Sequence, residues 1–289
     1  MKKILIIGST GTLGLSLCKI IKNLNNYEII ELSRKSKNNP VDITNKKNLI
    51  SFLKIIQPSI VINCSGLVDI QYCEKNPYEA WKIHVKSTMS LIEFLSLNKV
   101  KYIHISTDQF YDGKLKKNKE NSGISFINEY ATTKYLADVI ASNYSESIII
   151  RTNLVGFRGS RKKNFLETII TEIKKRKKLT LFNDYIVSSI DTENLSKIII
   201  KLFEKNFSGI VNVGCRNSFS KKDFILKLAK KINLKIYDYE TVSAKRLITK
   251  RQLNCALDVS KIEGFLNTKM PSFNEVLNNI AKEYLNNDH

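Results

Sequence analysis

Apolar residues follow two alternating rhythms along this chain. Short continuous runs at residues 4–7, 28–32, 59–63, 101–106 and 147–151 predict buried strands. Between them, residues 13–24, 49–56, 78–97 and 130–143 carry apolar side chains at helical spacing, as in Leu13, Leu17, Ile20, Ile21 and Leu24. Strands that alternate with helices predict βαβ units, an α/β class and a doubly wound parallel sheet covered on both faces. After about residue 152 the pattern loosens. Helices are expected over 164–177, 192–204, 221–232 and 273–285, with one further strand at 209–213.

This pattern predicts a sheet domain over residues 1–152, with return segments near 190–214. A smaller mixed substrate lobe follows over 153–289. There is no internal repeat and no Gly/Ser/Pro-rich linker.

Composition narrows the class. A chain of 289 residues with 43% hydrophobic content can bury a sizeable core. The apolar start of the chain is too short for a signal-peptide core, and no stretch approaches the roughly 20 apolar residues of a membrane helix. A cytoplasmic protein without membrane attachment is expected. Five scattered cysteines without a CxxC pair argue against a disulfide framework and a zinc site, and no metal motif stands out. The net charge of +20 comes from dispersed lysines, not from a basic block interleaved with aromatics, so no nucleic-acid partner is expected.

Candidate chemistry begins at Gly8-Ser9-Thr10-Gly11-Thr12-Leu13-Gly14, between the first strand and the first helix. Such a turn lets the backbone approach a pyrophosphate and presents helix N–H groups to it, which points to a Rossmann NAD(P) site. Ser33 and Arg34 close the second strand with no acidic residue at its tip. An arginine there pairs with a ribose 2′-phosphate, which favours NADP, with NAD left open because Glu31 is near the same tip. Asp42, followed by Ile43, has two roles open to it: contact with the adenine or capping of the next helix.

Tyr130 and Lys134 are four residues apart on a predicted helix and share a face. An ammonium there would lower the phenol pKa and hold the nicotinamide ribose, and the phenol would exchange a proton with a substrate oxygen. The strand ending in Ser106-Thr107 brings a hydroxyl to the carboxyl edge of the sheet, able to polarise a carbonyl. Arg158, Arg161 and Arg251 are candidates to grip phosphates. Trp81, His84 and His104 read as packing or structural residues.

These stretches, with SIVINCSG at 59–66, CEKNP at 73–77, HISTDQFYDG at 104–113 and NEYATTKYLAD at 128–138, resemble the extended short-chain dehydrogenase/reductases. Within that superfamily the chain is most similar to the dTDP-4-dehydrorhamnose reductase family. The resemblance covers nearly the whole chain and is densest over residues 1–155. It implies a catalytic trio of Thr107, Tyr130 and Lys134, with Cys64, Ser65 and Gly66 along the nicotinamide half of the cofactor. It also implies reduction of a 4-keto group on a 6-deoxysugar nucleotide, in surface-polysaccharide precursor synthesis. Asn153 and Arg251 fall in segments that hold substrate, and a homodimer is compatible with it.

Gln109 stands where related dehydratases carry an acid, which disfavours water elimination. Gln71, Asn153-Leu154 and Gln252 depart from the family's pattern, which leaves the sugar open. An epimerase with tightly held NAD, and a cofactor-binding regulatory subunit without chemistry, are the alternatives.

Overall fold

The computed structural model describes residues 1–36, 38–159 and 163–286. The chain forms two compact units. One comprises Met1–Phe110, Ser125–Arg151 and Ser196–Val211, and the other Tyr111–Ile124, Thr152–Leu195 and Asn212–His289.

The first unit is built on β1 (Lys2–Ile7), β2 (Tyr27–Leu32), β3 (Ile60–Asn63), β4 (Lys101–Ile105) and β5 (Ser147–Thr152). With the strand Gly209–Val213 they form a sheet in the order Gly209–Val213, β5, β4, β3, β1, β2. β1 pairs in parallel with both β2 and β3, so Ile4 is opposite Ile29 on one side and Ile60 on the other. The ladders β3–β4 and β4–β5 are also parallel. Ile4, Leu5, Ile6 and Ile7 are fully buried, as a central strand covered on both faces must be. Leu5 and Ile7 share one face with Leu32, Leu49, Leu53, Val61, Leu91 and Ile149. The chain leaves β1 for β2 on one side and then crosses to β3 on the other. This reversal opens a crevice at the carboxyl ends of β1 and β3.

Helix ends differ in a way that matters for function. α1 (Thr12–Lys22) starts at Gly11 without a side-chain cap. α2 (Lys46–Ile56) is capped by Asn45, whose side-chain oxygen accepts from the Asn48 N–H at 3.1 Å. Asp42 therefore does not cap α2; its carboxylate accepts from the Thr44 N–H and hydroxyl at 2.9 and 2.8 Å. An uncapped first turn leaves α1's amides facing the crevice without a side-chain partner.

The helical spacing over 78–97 predicts one continuous helix, but the structure interrupts it. α3 (Ile70–Lys75) and α4 (Pro77–Trp81) precede a π-helical turn, Lys82–Lys86, and then α5 (Ser87–Leu97). The Ser87 N–H donates to the carbonyl of Lys82, five residues back. Hydroxyls fill in around the turn: Ser87 donates to Ile83 O at 2.6 Å and Thr88 to His84 O at 2.7 Å. Trp81, the last residue of α4, faces outward. It is 36% exposed and stacks on Tyr78, itself 63% exposed, instead of packing in the core.

In the second unit, Leu166, Ile170, Phe224, Leu228, Val276 and Ile280 form one core. Phe219 stacks on Phe273 with centroids 3.8 Å apart. Its strands are short: Ile186–Val187 pairs with Phe219–Ser220 and Asn254–Cys255, and Leu179–Phe182 pairs with Tyr239–Val242. Two-residue strands carry no periodicity, so they were invisible in the hydrophobic pattern. Among the described residues, no helix is long and apolar enough to cross a membrane.

Gly14 is the tightest packing position of the first turn: a Cβ there would be 2.2 Å from the Gly8 carbonyl oxygen. Backbone cannot move aside as a side chain can. Gly14→Ala is expected to lower unfolding free energy in urea by about 1–3 kcal/mol, despite alanine's better helix propensity.

Candidate active site

The first wall of the site is the glycine turn. Gly8 has φ +80, and a Cβ on it would be 2.9 Å from the Ser65 N–H nitrogen. The turn and the loop after β3 are thus in backbone contact, which glycine alone permits here. The Gly8 N–H donates to Leu32 O at 2.8 Å, and the Gly11 N–H to Gly8 O at 2.9 Å. The Thr10 hydroxyl donates to Ser33 Oγ at 3.2 Å, so the tips of the turn and β2 meet. Arg34 beside them is exposed. Ile43, in contrast, places its side chain in the core, leaving at most its backbone for a ligand. This cradle fits a pyrophosphate: among the described residues no side chain caps the helix, and the amides of Thr12, Leu13 and Gly14 open it.

Asn63, at the tip of β3, shapes the second wall. Its Oδ1 accepts from the Ser65 N–H at 3.1 Å and from the Ser65 hydroxyl at 2.5 Å. Cys64 is half-buried and Gly66 exposed. Burial pushes the Cys64 thiol up, so it stays protonated.

The third wall is α6 (Glu129–Ser142), capped by Asn128, whose side-chain oxygen accepts from the Ala131 N–H at 2.8 Å. Tyr130, Lys134 and Asp138 are spaced i, i+4, i+8 on one buried face. The Lys134 ammonium donates to the carbonyl of Ile105, the last residue of β4, at 2.7 Å. Thr107, two residues on, is near enough to Tyr130 for its hydroxyl to oppose the rise in the phenol pKa, and it accepts from the Gln109 N–H at 3.3 Å. Ser106, beside it, bears on Asp138 instead, whose carboxyl pKa it helps to lower. Gln109 turns its amide onto Asp108, donating to Oδ1 at 3.0 Å.

Electrostatics at Tyr130 differ from the sequence expectation. Burial raises the phenol pKa and the Asp108 charge adds to it, while the Thr107 hydroxyl opposes. The Lys134 ammonium, four residues on, donates to the Ile105 carbonyl. Lys134 itself is lowered to about 8 by burial, against the favourable charge of Asp138.

Behind this face is a polar chain that sequence reading missed. The Arg151 Nε donates to Asp138 Oδ2 at 2.9 Å, and its guanidinium is 4.9 Å from the centre of the Phe110 ring. Tyr102 accepts from the Asn63 amide at 3.0 Å and meets His104 Nδ1 at 3.1 Å. His104 Nε2 is 3.6 Å from Asp138 Oδ1. Burial holds His104 well below its ordinary pKa, so it is neutral. Asp138 could have been found from its helical spacing with Lys134; Asn63 and Tyr102 carry no comparable signal.

The second unit holds the other candidates. Asn153 accepts from the Ser189 hydroxyl at 2.6 Å. Arg251 is half-buried, and its buried Nε has no hydrogen-bond partner, which suits a guanidinium awaiting an anion. Beside it, Gln252 donates to Tyr111 O and Asn254 to Leu115 O at 2.7 Å. Arg158 is half-buried, and its N–H donates to Glu167 at 2.8 Å. Arg161 lies outside the described residues. Among the described residues, no group of three or more His, Cys, Asp or Glu is placed to hold a metal ion.

Comparison with known proteins agrees with this geometry. The family described as the RmlD substrate binding domain matches residues 1–286. The chain belongs to the RmlD substrate-binding domain family. Within reach of it, the spore coat polysaccharide biosynthesis protein SpsK of Bacillus subtilis is 31% identical over 70% of each chain. The dTDP-4-dehydrorhamnose reductase of Aggregatibacter actinomycetemcomitans is 26% identical over 97% of this RmlD-family chain and 98% of its own. The crystal structure of dTDP-4-dehydrorhamnose reductase from Bacillus anthracis in complex with NADP superposes with a TM-score of 0.88. It is 25% identical, covering 98% of this chain and all of that one.

The buried pair makes a stability prediction. Asp138→Asn leaves Arg151 without its counter-charge and is expected to cost about 3–5 kcal/mol in urea unfolding. The apolar double variant Asp138→Leu/Arg151→Met should regain most of that loss.

Proposed function

We propose that this protein is an NAD(P)H-dependent reductase of a nucleotide-linked 4-keto-6-deoxy sugar, supplying a surface-polysaccharide precursor. One observation carries the reading: Tyr130 and Lys134 share one buried face of α6, and the Lys134 ammonium locks that face to the carbonyl of Ile105 at the end of β4, two residues before Thr107. Relatives named as dTDP-4-dehydrorhamnose reductases along nearly the full chain support it.

The residues divide the work in a simple way. A bound dinucleotide supplies the hydride. Gly8, Gly11 and Gly14, with the amides of Thr12 and Leu13, hold its pyrophosphate. Ser33 and the exposed Arg34 receive a ribose 2′-phosphate, which favours NADP over NAD, and Thr10, Asp42 and Ile43 flank the adenosine half. Cys64, Ser65, Gly66 and Ser106 border the nicotinamide half, and Lys134 holds its ribose. Thr107 orients and polarises the keto oxygen, and Tyr130 delivers the proton to it. The raised phenol pKa suits this direction, because an acid must arrive protonated. Arg251 pairs with a substrate phosphate, and Asn153 contacts the sugar. The protein acts in the cytoplasm, and a homodimer is its proposed assembly.

NADPH oxidation followed optically against a panel of 4-keto sugar nucleotides tests the reading. Stoichiometric oxidation with product is expected, whereas isomerisation without net oxidation would replace it with an epimerase. Tyr130→Phe should bind NADPH normally and lose about 10²–10⁴ in kcat.

Lys134 sets the pH dependence. Its folded-state pKa, about 8, is below the ordinary 10.5, so the ammonium is lost as pH rises through 8. The kcat/KM for NADPH is therefore expected to fall above pH 8 along a one-proton limb. Stability moves the other way. Between pH 8 and 10.5 the unfolded chain holds a proton at Lys134 that the folded chain has released, so this group's contribution rises with pH.

A further inference from the structure

His84 has no part in the proton transfer just described, yet it contacts both walls of the site. It is in the π-helical turn, 2% exposed. Its Nε2 accepts from the Leu67 N–H at 2.9 Å, which belongs to the loop following Cys64, Ser65 and Gly66. Its Nδ1 is 2.9 Å from the Thr133 hydroxyl on α6. The Thr133 hydroxyl donates to Glu129 O at 2.7 Å, in the turn of helix that carries Tyr130.

These contacts decide the tautomer. Nε2 accepts, so it carries no proton; Thr133 spends its proton on Glu129, so Nδ1–H is the donor to Thr133. Burial and the Lys134 charge push the imidazole down to about 3, so this state persists across the working pH range. The ring also meets Tyr130 edge to face, with centroids 5.7 Å apart. A Cβ on Gly66 would be 3.7 Å from Nε2. The π-helical turn is what delivers the ring here, since its extra residue shifts the register of side chains along the helix.

We infer that His84 is a positioning residue: a neutral strut that sets the spacing between the loop at residues 64–67 and the proton-donating phenol of Tyr130. Its consequence for turnover rests on the reductase reading, in which that loop borders the nicotinamide. The strut needs one acceptor and one donor about a ring's width apart, and a glutamine amide offers the same pair. A charged or titrating group is not required.

The test uses the full chain with His84→Ala, His84→Gln and Thr133→Val. His84→Ala is expected to lower kcat about 10–100-fold, the scale of a small misplacement, while the NADPH Kd, set mainly by the glycine turn, changes less than about threefold. Exchange of the Leu67 amide with deuterium should speed up about tenfold or more in His84→Ala. His84→Gln should restore kcat to within about threefold of wild type and keep the wild-type pH profile. Thr133→Val should fall in kcat by a similar factor to His84→Ala. Wild-type kcat and slow Leu67 exchange in His84→Ala would overturn the inference. So would a glutamine variant no better than alanine, or one whose pH profile moves, since that would make His84 an acid or base. If His84→Ala does not fold, the glutamine and valine variants decide by the same measures. If the wild type oxidises NADPH with no keto-sugar nucleotide, the reductase reading fails, while the Leu67 exchange still reports on the strut.

Discussion

A buried ammonium that must find oxygen organises the first unit. Lys134 is 4% exposed, and its charge is satisfied by the carbonyl at the end of β4. Burying a cation without partners is prohibitively costly, so this bond fixes α6 against the strand tip. Two further conditions follow. Asp138, one turn along the same face, faces Lys134 with a carboxyl whose pKa burial raises and the direct contact with Arg151 holds back. With helix and strand locked, Thr107 and Tyr130 are brought together without either having to search for the other.

A second constraint is steric. The carboxyl ends of β1 and β3 are neighbours because the chain reverses its winding between β2 and β3. Their loops approach so closely that a side chain on Gly8 would strike the backbone at Ser65. Asn63 then spends its carboxamide on ordering that loop and on Tyr102, which leads back through His104 towards Asp138. The amide network stops short of the charge network: His104 Nε2 and Asp138 Oδ1 are 3.6 Å apart and both lack a hydrogen-bond partner among the described residues. Buried polar chains hold one arrangement through the members that are paired.

Much of this was legible in the pattern of the chain. The strands of the sheet, the turn at Gly8 and the helix bearing Tyr130 and Lys134 all announce themselves, because local periodicity and glycine spacing are local properties. Other features misled. Trp81 was expected in the core from its spacing with Tyr78 and Val85, but it and Tyr78 share an exposed face of α4 while Val85, beyond the break in the helix, is buried. Asp42 and Asn45 are both plausible caps in sequence, and only the backbone decides that Asn45 takes the role. The expected lowering of the Tyr130 phenol by Lys134 assumed that sharing a face means sharing an electrostatic environment. The ammonium is directed to a carbonyl instead, and burial dominates the phenol.

The sequence by itself determined the class of fold, the glycine turn after the first strand and the helical spacing that puts Tyr130 and Lys134 on one face, since each is written in residues near one another along the chain. The tertiary structure alone decided which carbonyl receives the lysine, which arginine pairs with Asp138, and that His84 joins a loop to a helix 49 residues away. The reason is physical: hydrogen bonds and buried charges act over a few ångströms of space, whatever the distance in sequence. Only folding sets that space.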